Sequence, residues 1–448
     1  MHLLDKYNVP GPRYTSYPTT PYWDNPPDEE NWKTLVKKSF EHHNDKDGVS
    51  IYIHLPYCES LCTFCGCTTR ITINHNVEDP YIDALLAEWQ LYVDLFDQKA
   101  NIKEIHLGGG TPTFFSPANL KRLIDGIKAT SIIDSNADFS IEANPKTTTK
   151  KHLETLQNAG FTRLSLGIQD FDINVQTTIN RIHSFGQVKL VTDWARSLGF
   201  KSINYDLVYG LPHQTLSSIE TTIDLVNLLR PDRIAYYSYA HVPWVKPGQR
   251  SFTEKDLPNG KLKHQMYVLG KQMLVKAGYL EIGMDHFALP DEDLSKAYRS
   301  RKLHRNFMGY TTKPSKLMIG LGVSAIGDTW NAFAQNVKVV ERYLELVNEG
   351  RFPIFRGHIL SEEDLAVRQL ILSIMCQFKA DIKDLKHTAK QKGLSSLEEM
   401  QKDKLLELSG DEIYVTSSGR QFVRNICMAF DLRLLHKQPD TQIFSMTV

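Results

Sequence analysis

The chain has 448 residues, with 52 Lys and Arg against 52 Asp and Glu, 41% hydrophobic and 23% charged residues. At roughly 150 residues per domain this length predicts two or three units, or one barrel with appendages. A formal net charge of zero excludes the basic excess that sequence-independent nucleic-acid and membrane-surface binders need, and no run of 18 apolar residues predicts a bilayer span.

From Met1 to Pro10 there is no cationic segment followed by an apolar one, so no secretory leader is expected and the chain reads as cytoplasmic. Gly11-Pro-Arg-Tyr-Thr-Ser-Tyr-Pro18 is polar, aromatic and too rich in proline for a helix. It predicts an arm packed on the body, or a lid whose Arg13 offers a planar fork to a carboxylate. Val49 to His54 alternates β-branched and aromatic residues and predicts a strand.

Directly after that strand come Cys58-Glu-Ser-Leu-Cys62-Thr-Phe-Cys65-Gly-Cys67, four of the six cysteines within ten residues. In a reducing compartment such a cluster points to metal or redox chemistry rather than disulfides. A four-cysteine zinc site usually pairs two knuckles from separate parts of the chain, whereas one Gly between Cys65 and Cys67 is cramped for tetrahedral coordination. Three thiolates at C-x₃-C-x₂-C suit a [4Fe–4S] cluster with one iron left open, so the spacing favours the cluster over zinc. Cys376, in an apolar run, and Cys427 read as small buried hydrophobes.

Further strands are predicted at 104–107, 138–142, 163–167, 202–206 and 233–237, separated by amphipathic helices over 79–97, 117–129, 149–159, 186–198 and 215–229. Ser116 before Pro117, and Thr147 to Thr149 before Lys150, read as helix caps. This regular alternation predicts an α/β fold: a partial, open βα barrel of about six parallel βα units. The unusual residues fall just after the strands: the cysteine loop, Gly108-Gly-Gly110-Thr111-Pro112, Glu142, Gly167-Ile-Gln169, Asp206 and Tyr239-Ala240-His241. In a βα barrel these points meet on the C-terminal face, where the chemistry sits, and an enzyme is expected.

The triple glycine lacks the spacing of a dinucleotide fingerprint or a P-loop. Its use would be close backbone approach to a ligand; its plain reading is a tight turn. Glu142 and Asp206 read alone as caps or satisfied carboxylates, and together as holding ribose hydroxyls or an ammonium group. His54, His241 and His286 are unspecific.

Past residue 240 the chain is less regular. Ser361-Glu-Glu-Asp364 matches a capping box, 407–415 a hairpin turning at Gly410-Asp411, and 419–436 a helix. This mainly helical section resembles a winged helix, but 361–448 holds 12 Lys and Arg against 13 Asp and Glu, so a packing or lid role is expected rather than DNA binding. The expected division is an N-terminal arm or lid (1–45), a barrel core (46–245), an extension and connecting segment (246–360) and a helical C-terminal domain (361–448).

The three-cysteine loop with Phe64 inside it, and the Gly-Gly-Gly-Thr-Pro loop after the next strand, resemble the radical S-adenosylmethionine (SAM) superfamily. The arm Tyr7 to Pro18, Cys67, Asn204 to His213, Gly283 to Phe287, Arg305 to Thr311, Gly322 to Ile326 and Arg424 to Met428 narrow this. Together they resemble the oxygen-independent coproporphyrinogen III oxidase family, over nearly the whole chain.

That resemblance implies a [4Fe–4S] cluster on Cys58, Cys62 and Cys65 with its fourth iron open to SAM. Tyr52, Gly109, Glu142 and Ile326 match positions that hold this SAM. Phe64, Gly110, Thr111, Gln169, Arg181, Asp206 and Ala240 match those that hold a second one. Tyr52, Glu142, Cys67 and Arg13 are the candidate catalytic residues, although no role is assigned to Cys67, which is not a cluster ligand. Thr68 departs from the Asn of relatives.

The implied reaction is oxidative decarboxylation of two propionates of coproporphyrinogen III to vinyl groups, started by a SAM-derived 5′-deoxyadenosyl radical. The implied partners are the porphyrinogen and an external one-electron donor of flavodoxin or ferredoxin type, with no nucleic acid, no membrane and a monomeric state. Arg13, Arg250 and Arg305 are candidates for the substrate carboxylates. A haem-delivering chaperone or a methyl-transferring haem-degrading enzyme is the alternative within the superfamily; Cys67 and the arm count against both. A zinc scaffold would need Cys67 as a ligand and leaves the convergence on the barrel face unexplained.

Overall fold

The computed structural model describes residues 3–436, 439 and 443–447; Met1 and His2, at the start of the stretch read for a leader, and the ends of both the arm and the C-terminal span lie outside them. Six parallel strands carry the fold: β1 Val49–Leu55, β2 Ala100–Gly109, β3 Ser131–Ala143, β4 Arg163–Gln169, β5 Ser202–Tyr209 and β6 Arg233–Ser238. They pair in chain order. Each lies where a strand is expected and each runs longer, β5 for instance by Leu207-Val-Tyr209. A seventh parallel strand, β7 Leu317–Leu321, pairs with β1 on its other side and was not foreseen. Antiparallel strands extend both edges to a 12-stranded sheet, order 354–359, 332–336, 326–328, β7, β1 to β6, 286–288, 280–283. Its end strands do not pair with each other, so the barrel is open.

Helices α1 Glu78–Val93, α2 Pro117–Ala129, α3 Lys150–Asn158, α4 Phe185–Ser197 and α5 Leu216–Leu229 connect the strands. The first ends four residues earlier than expected; beyond Val93 the chain leaves the helix in tight turns, with Leu95 and Phe96 donating to Tyr92 O and Val93 O. Ser116 caps α2 by accepting from Asn119 N, and Thr149 forms a capping box with His152 at the start of α3.

Strand residues alternate in direction, and here the alternation sorts chemistry. Ile51, Ile53 and Leu55 of β1 join Tyr81, Leu85 and Trp89 of α1 in the main core, all 1% exposed or less. The intervening residues face inward and are polar, so that Tyr52 stacks on His106 at 5.9 Å and Ser140, Ser165 and Asn204 line the barrel interior. Burial of each large apolar side chain stabilises this wall by roughly 2–3 kcal/mol.

Within residues 1–45, Glu29–His43 is a helix capped by Asp28, with Trp32, Val36 and Phe40 in the main core. Ahead of it, Tyr14 and Tyr17 are each 2% exposed in a second core shared with the C-terminal section, and Tyr14 OH donates to Asp431 Oδ2 at 3.0 Å. That section has the capping box at Ser361, a helix Glu362–Gln377, and the expected hairpin Leu406–Ser409/Glu412–Val415, joined by a third strand Lys379–Asp381. The single helix expected over 419–436 is broken into Arg420–Phe422, Val423–Met428 and Leu432–His436. Asp431 restarts it by accepting from Leu434 N at 3.0 Å. Cys376 and Cys427 are buried.

Candidate active site

The C-terminal ends of β1 to β6 open into a cavity of about 320 Å³. Lining it are Cys58, Cys62, Cys65 and Cys67, Phe64, the Gly109-Gly110-Thr111 turn, Glu142, Gln169, Arg181 and Asp206. With Tyr237 of β6, residues from six separate strand ends thus meet in one place. Among the described residues no three His, Cys, Asp or Glu side chains are already drawn together as a closed metal cage; the thiols stand around the cavity instead.

The cysteine loop is tied to the barrel at several points. Thr63 N donates to Ile179 O at 3.0 Å, and Asn180 Nδ2 donates to Leu61 O at 2.7 Å. Gln249 Nε2 donates to Phe64 O at 3.0 Å and to Ala240 O at 3.3 Å. Lys246 Nζ reaches Cys67 O at 3.2 Å, and His54 Nε2 lies 2.8 Å from Thr68 O. The contact at Thr68 is through its backbone, so Thr in place of Asn leaves it unchanged. Gln249, 1% exposed, and Lys246 were not anticipated: they lie far downstream, in a segment without periodicity.

The glycine turn sits against the loop. Gly110 N donates to Leu55 O at 2.9 Å and Thr111 N to Tyr57 O at 3.0 Å. The Thr111 hydroxyl is 3.2 Å from Cys58 Sγ. A Cβ on Gly110 would stand 2.5 Å from Pro56 O and 3.1 Å from Cys58 Sγ; at Gly109, with φ +114°, it would stand 2.8 Å from the His54 ring. Close approach of backbone to the cysteine loop is therefore what the glycines allow.

Glu142 Oε2 accepts from Gly109 N at 3.2 Å, and its Oε1 lies 3.2 Å from His106 Nε2, whose Nδ1 is 2.7 Å from Ser140 Oγ. Burial would raise the Glu142 pKa, but His106 and the Gly109 N–H outweigh it and hold the group below the usual carboxylate value. Asp206 accepts from Ser165 Oγ and Asn204 Nδ2, both at 2.9 Å. Burial and the charge of Glu142 push it up to about 6. Cys65 is lowered to about 6 by hydrogen bonding from Cys67 against the opposing effect of burial, aided by Lys246 and Arg181. Cys58 is raised to about 11 by burial, only partly offset by Thr111.

Not every expected residue lines the cavity. Tyr52 and Ile326 flank Gly320: Tyr52 is its partner in register, and a Cβ there would stand 2.6 Å from the Ile326 backbone. Ala240 is linked to the loop through Gln249. Arg13 Nη1 donates to Asp285 Oδ2 at 2.7 Å and Nη2 to Ser238 O at 3.3 Å, so its fork is engaged by the protein away from the cavity wall. Arg250 is exposed and donates to Pro243 O. Arg305 is buried on another element.

Residues 52–226 match the family model of the radical SAM superfamily. An oxygen-independent coproporphyrinogen III oxidase of Synechocystis is 37% identical over 100% of this chain and 97% of its own length. The enzyme of that name from Escherichia coli is 37% identical over 97% of this chain and 95% of its own. A solved structure of coproporphyrinogen III oxidase from Escherichia coli, described as a radical SAM enzyme, matches with a TM-score of 0.88 at 36% identity, covering 94% of this chain and 97% of that one.

Proposed function

The chain belongs to the oxygen-independent coproporphyrinogen III oxidases of the radical SAM superfamily, and from that premise we propose which of its residues run the reaction. The activity is oxidative decarboxylation of two propionate side chains of coproporphyrinogen III to vinyl groups, giving protoporphyrinogen IX. It depends on a [4Fe–4S] cluster and SAM. One observation carries the residue assignment: three thiols at C-x₃-C-x₂-C share one cavity with a glycine turn, two inward carboxylates and one arginine.

The donor set fits the cluster. Soft thiolates are its ligands, and three of them leave one iron position for a small molecule. We assign Cys58, Cys62 and Cys65 to it. When bound, cluster and SAM together supply the hydrogen-atom abstraction that begins loss of CO₂ from a propionate. The protein positions and shields. Hydrogen bonding from Cys67 holds the Cys65 thiol below its usual value, whereas burial raises Cys58, which must lose its proton to a metal.

Tyr52, Gly109, Glu142 and Ile326 are assigned to the SAM that meets the cluster. Glu142, kept ionised by His106 and Gly109 N–H, suits an ammonium group. Phe64, Gly110, Thr111, Gln169, Arg181, Asp206 and Ala240 are assigned to a second SAM; Gln249, which binds both Phe64 O and Ala240 O, holds two of these positions in register. Cys67 is exposed and hydrogen-bonded to Cys65 through its backbone N–H at 3.4 Å, a place that suits a group acting beside the cluster rather than on it. The arm 7–18 is read as a lid element held by Arg13 and Tyr14.

No helix of the described residues is long and apolar enough to cross a membrane, and a cytoplasmic monomer fed by a flavodoxin- or ferredoxin-type donor is the reading adopted. The expected division into arm, barrel, extension and C-terminal domain is kept, with the helix 29–43 counted with the barrel on the strength of its core contacts. An anaerobic assay with reconstituted protein, dithionite, SAM and coproporphyrinogen III tests the whole reading. Protoporphyrinogen IX should form with two 5′-deoxyadenosines per product, one for each propionate. Deoxyadenosine without decarboxylation would overturn the substrate.

A further inference from the structure

Lys246 stands where the segment after β6 meets the cysteine loop, and its backbone is fixed on both sides. Lys246 N donates to Val242 O at 2.9 Å, and Lys246 O accepts from Gln249 N at 3.0 Å as the short helical turn Pro247–Ser251 begins. Gln249 anchors that turn in both directions, with Oε1 accepting from Val242 N at 2.7 Å and Nε2 donating to Phe64 O at 3.0 Å. The Lys246 side chain therefore leaves from a fixed point toward the loop, where Nζ donates to Cys67 O at 3.2 Å. Among the described residues no carboxylate pairs with it. Cys67 in turn donates its backbone N–H to Cys65 Sγ at 3.4 Å. One residue is thus held at its carbonyl by an ammonium group while its amide faces a thiol assigned to the cluster.

The cavity gives such a cation something to do. It gathers the thiols with two carboxylates, Glu142 and Asp206. Each electron delivered to a cluster there adds negative charge to a group already bound by three thiolates, and in a partly desolvated cavity that is costly. Cluster potentials respond to net charge and to hydrogen bonds on the ligand sulfurs. Arg181 supplies a contact of this kind at Cys62, 3.7 Å from its Sγ, but it is also engaged by Gly167 O. Lys246 works from the other end of the loop, and its charge favours the Cys65 thiolate.

Resting on the assignment of Cys58, Cys62 and Cys65 to the cluster, we propose that Lys246 is a positioning residue that raises the cluster's reduction potential. It does so by holding the Cys67 N–H against Cys65 Sγ and by placing one positive charge beside the loop. Groups around the ligands, rather than the ligands themselves, set this property.

The test is an anaerobic reductive titration of the full chain carrying its cluster, without SAM. Dithionite and mediator dyes supply the electrons, electron paramagnetic resonance reads the reduced cluster, and iron content and thermal midpoints are taken on the same samples. Lys246→Met removes both the hydrogen bond and the charge. It should disfavour reduction roughly tenfold, or about 59 mV for one electron, with iron content unchanged. Lys246→Gln keeps a donor for Cys67 O without the charge and should fall between Met and the parent; it also serves if the Met variant loses its cluster. Lys246→Arg keeps both and should titrate close to the parent. Equal potentials in the parent and the two uncharged variants would overturn this inference alone, whatever the thermal midpoints do, since a merely structural lysine moves only those. A shift that Lys246→Arg fails to reverse would overturn it as well. A parent chain that assembles no [4Fe–4S] cluster on reconstitution would overturn the ligand assignment, and the inference with it.

Discussion

Arg181 stands with Nη1 3.7 Å from Cys62 Sγ while its Nε and Nη2 both donate to Gly167 O, at 3.0 and 2.7 Å. One guanidinium thus ties the end of β4 to the middle of the cysteine loop. Its planar fork makes the double contact to a single carbonyl, which an ammonium group cannot copy. Charge-assisted hydrogen bonds of this kind contribute about 1.5–3 kcal/mol. Arg181→Ala is therefore expected to lower kcat/KM by roughly 10- to 100-fold with the far-UV circular dichroism unchanged. Arg181→Lys should recover only part of the loss. Anaerobic steady-state kinetics decide it, and a full recovery by lysine would refute the fork argument.

The cysteines separate by role. Cys58→Ser, Cys62→Ser and Cys65→Ser are each expected to lose most iron and sulfide on anaerobic reconstitution, because a hydroxyl is a poor replacement for a thiolate at iron. Cys67→Ser should keep its iron and its visible cluster absorption while activity falls. Iron and sulfide analysis of the four variants is the check. If Cys67→Ser lost its iron while one of the other three kept it, the ligand set would have to be redrawn.

Much of this was legible in the sequence, for identifiable reasons. The β1 to β6 strands and their helices were found because apolar residues recur with the period of each element, and Ser116, Thr149 and Ser361 marked helix starts through local chemistry. The strand β7 was missed because Leu317-Met-Ile-Gly-Leu321 is short and apolar throughout, all five residues buried, a pattern that periodicity does not assign. The break at Asp431 was missed because its cap acts within a run that otherwise reads as helix. At the site, residues that follow strand ends were found, since topology alone gathers them. Gln249 and Lys246 depend on long-range packing that no local pattern encodes.

Gly110 tests the close approach directly. A methyl group there would meet Pro56 O at 2.5 Å, a backbone atom that cannot move aside alone. Gly66, inside the same loop, has nothing within 4 Å of such a group. Gly110→Ala is expected to displace the loop and reduce cluster content on reconstitution by more than half, whereas Gly66→Ala should match the parent. The comparison uses iron content and absorption of the brown protein, and equal iron in the two variants would sink the argument.

Glu88 supplies a pH dependence that reaches the same side of the barrel. It is fully buried and accepts from Gly322 N at 2.7 Å, Asn336 Nδ2 at 2.6 Å and Tyr343 OH at 2.6 Å, pinning the turn that leads from β7 to Ile326. Burial pushes its pKa up to about 7, against the pull of these three donors. The folded state therefore holds a proton between about pH 4.3 and 7 that the unfolded chain has released, and stability falls as pH rises through that window. With Glu88→Gln the titration is gone. The stability of the parent relative to Glu88→Gln is thus expected to be greatest near pH 5 and to shrink toward pH 8, by about 3 kcal/mol at most. Thermal midpoints of both proteins across that range measure it. A difference that stays constant from pH 5 to 8 would show that Glu88 does not change its ionisation on folding, and the turn before Ile326 would then be held by a permanently charged carboxylate.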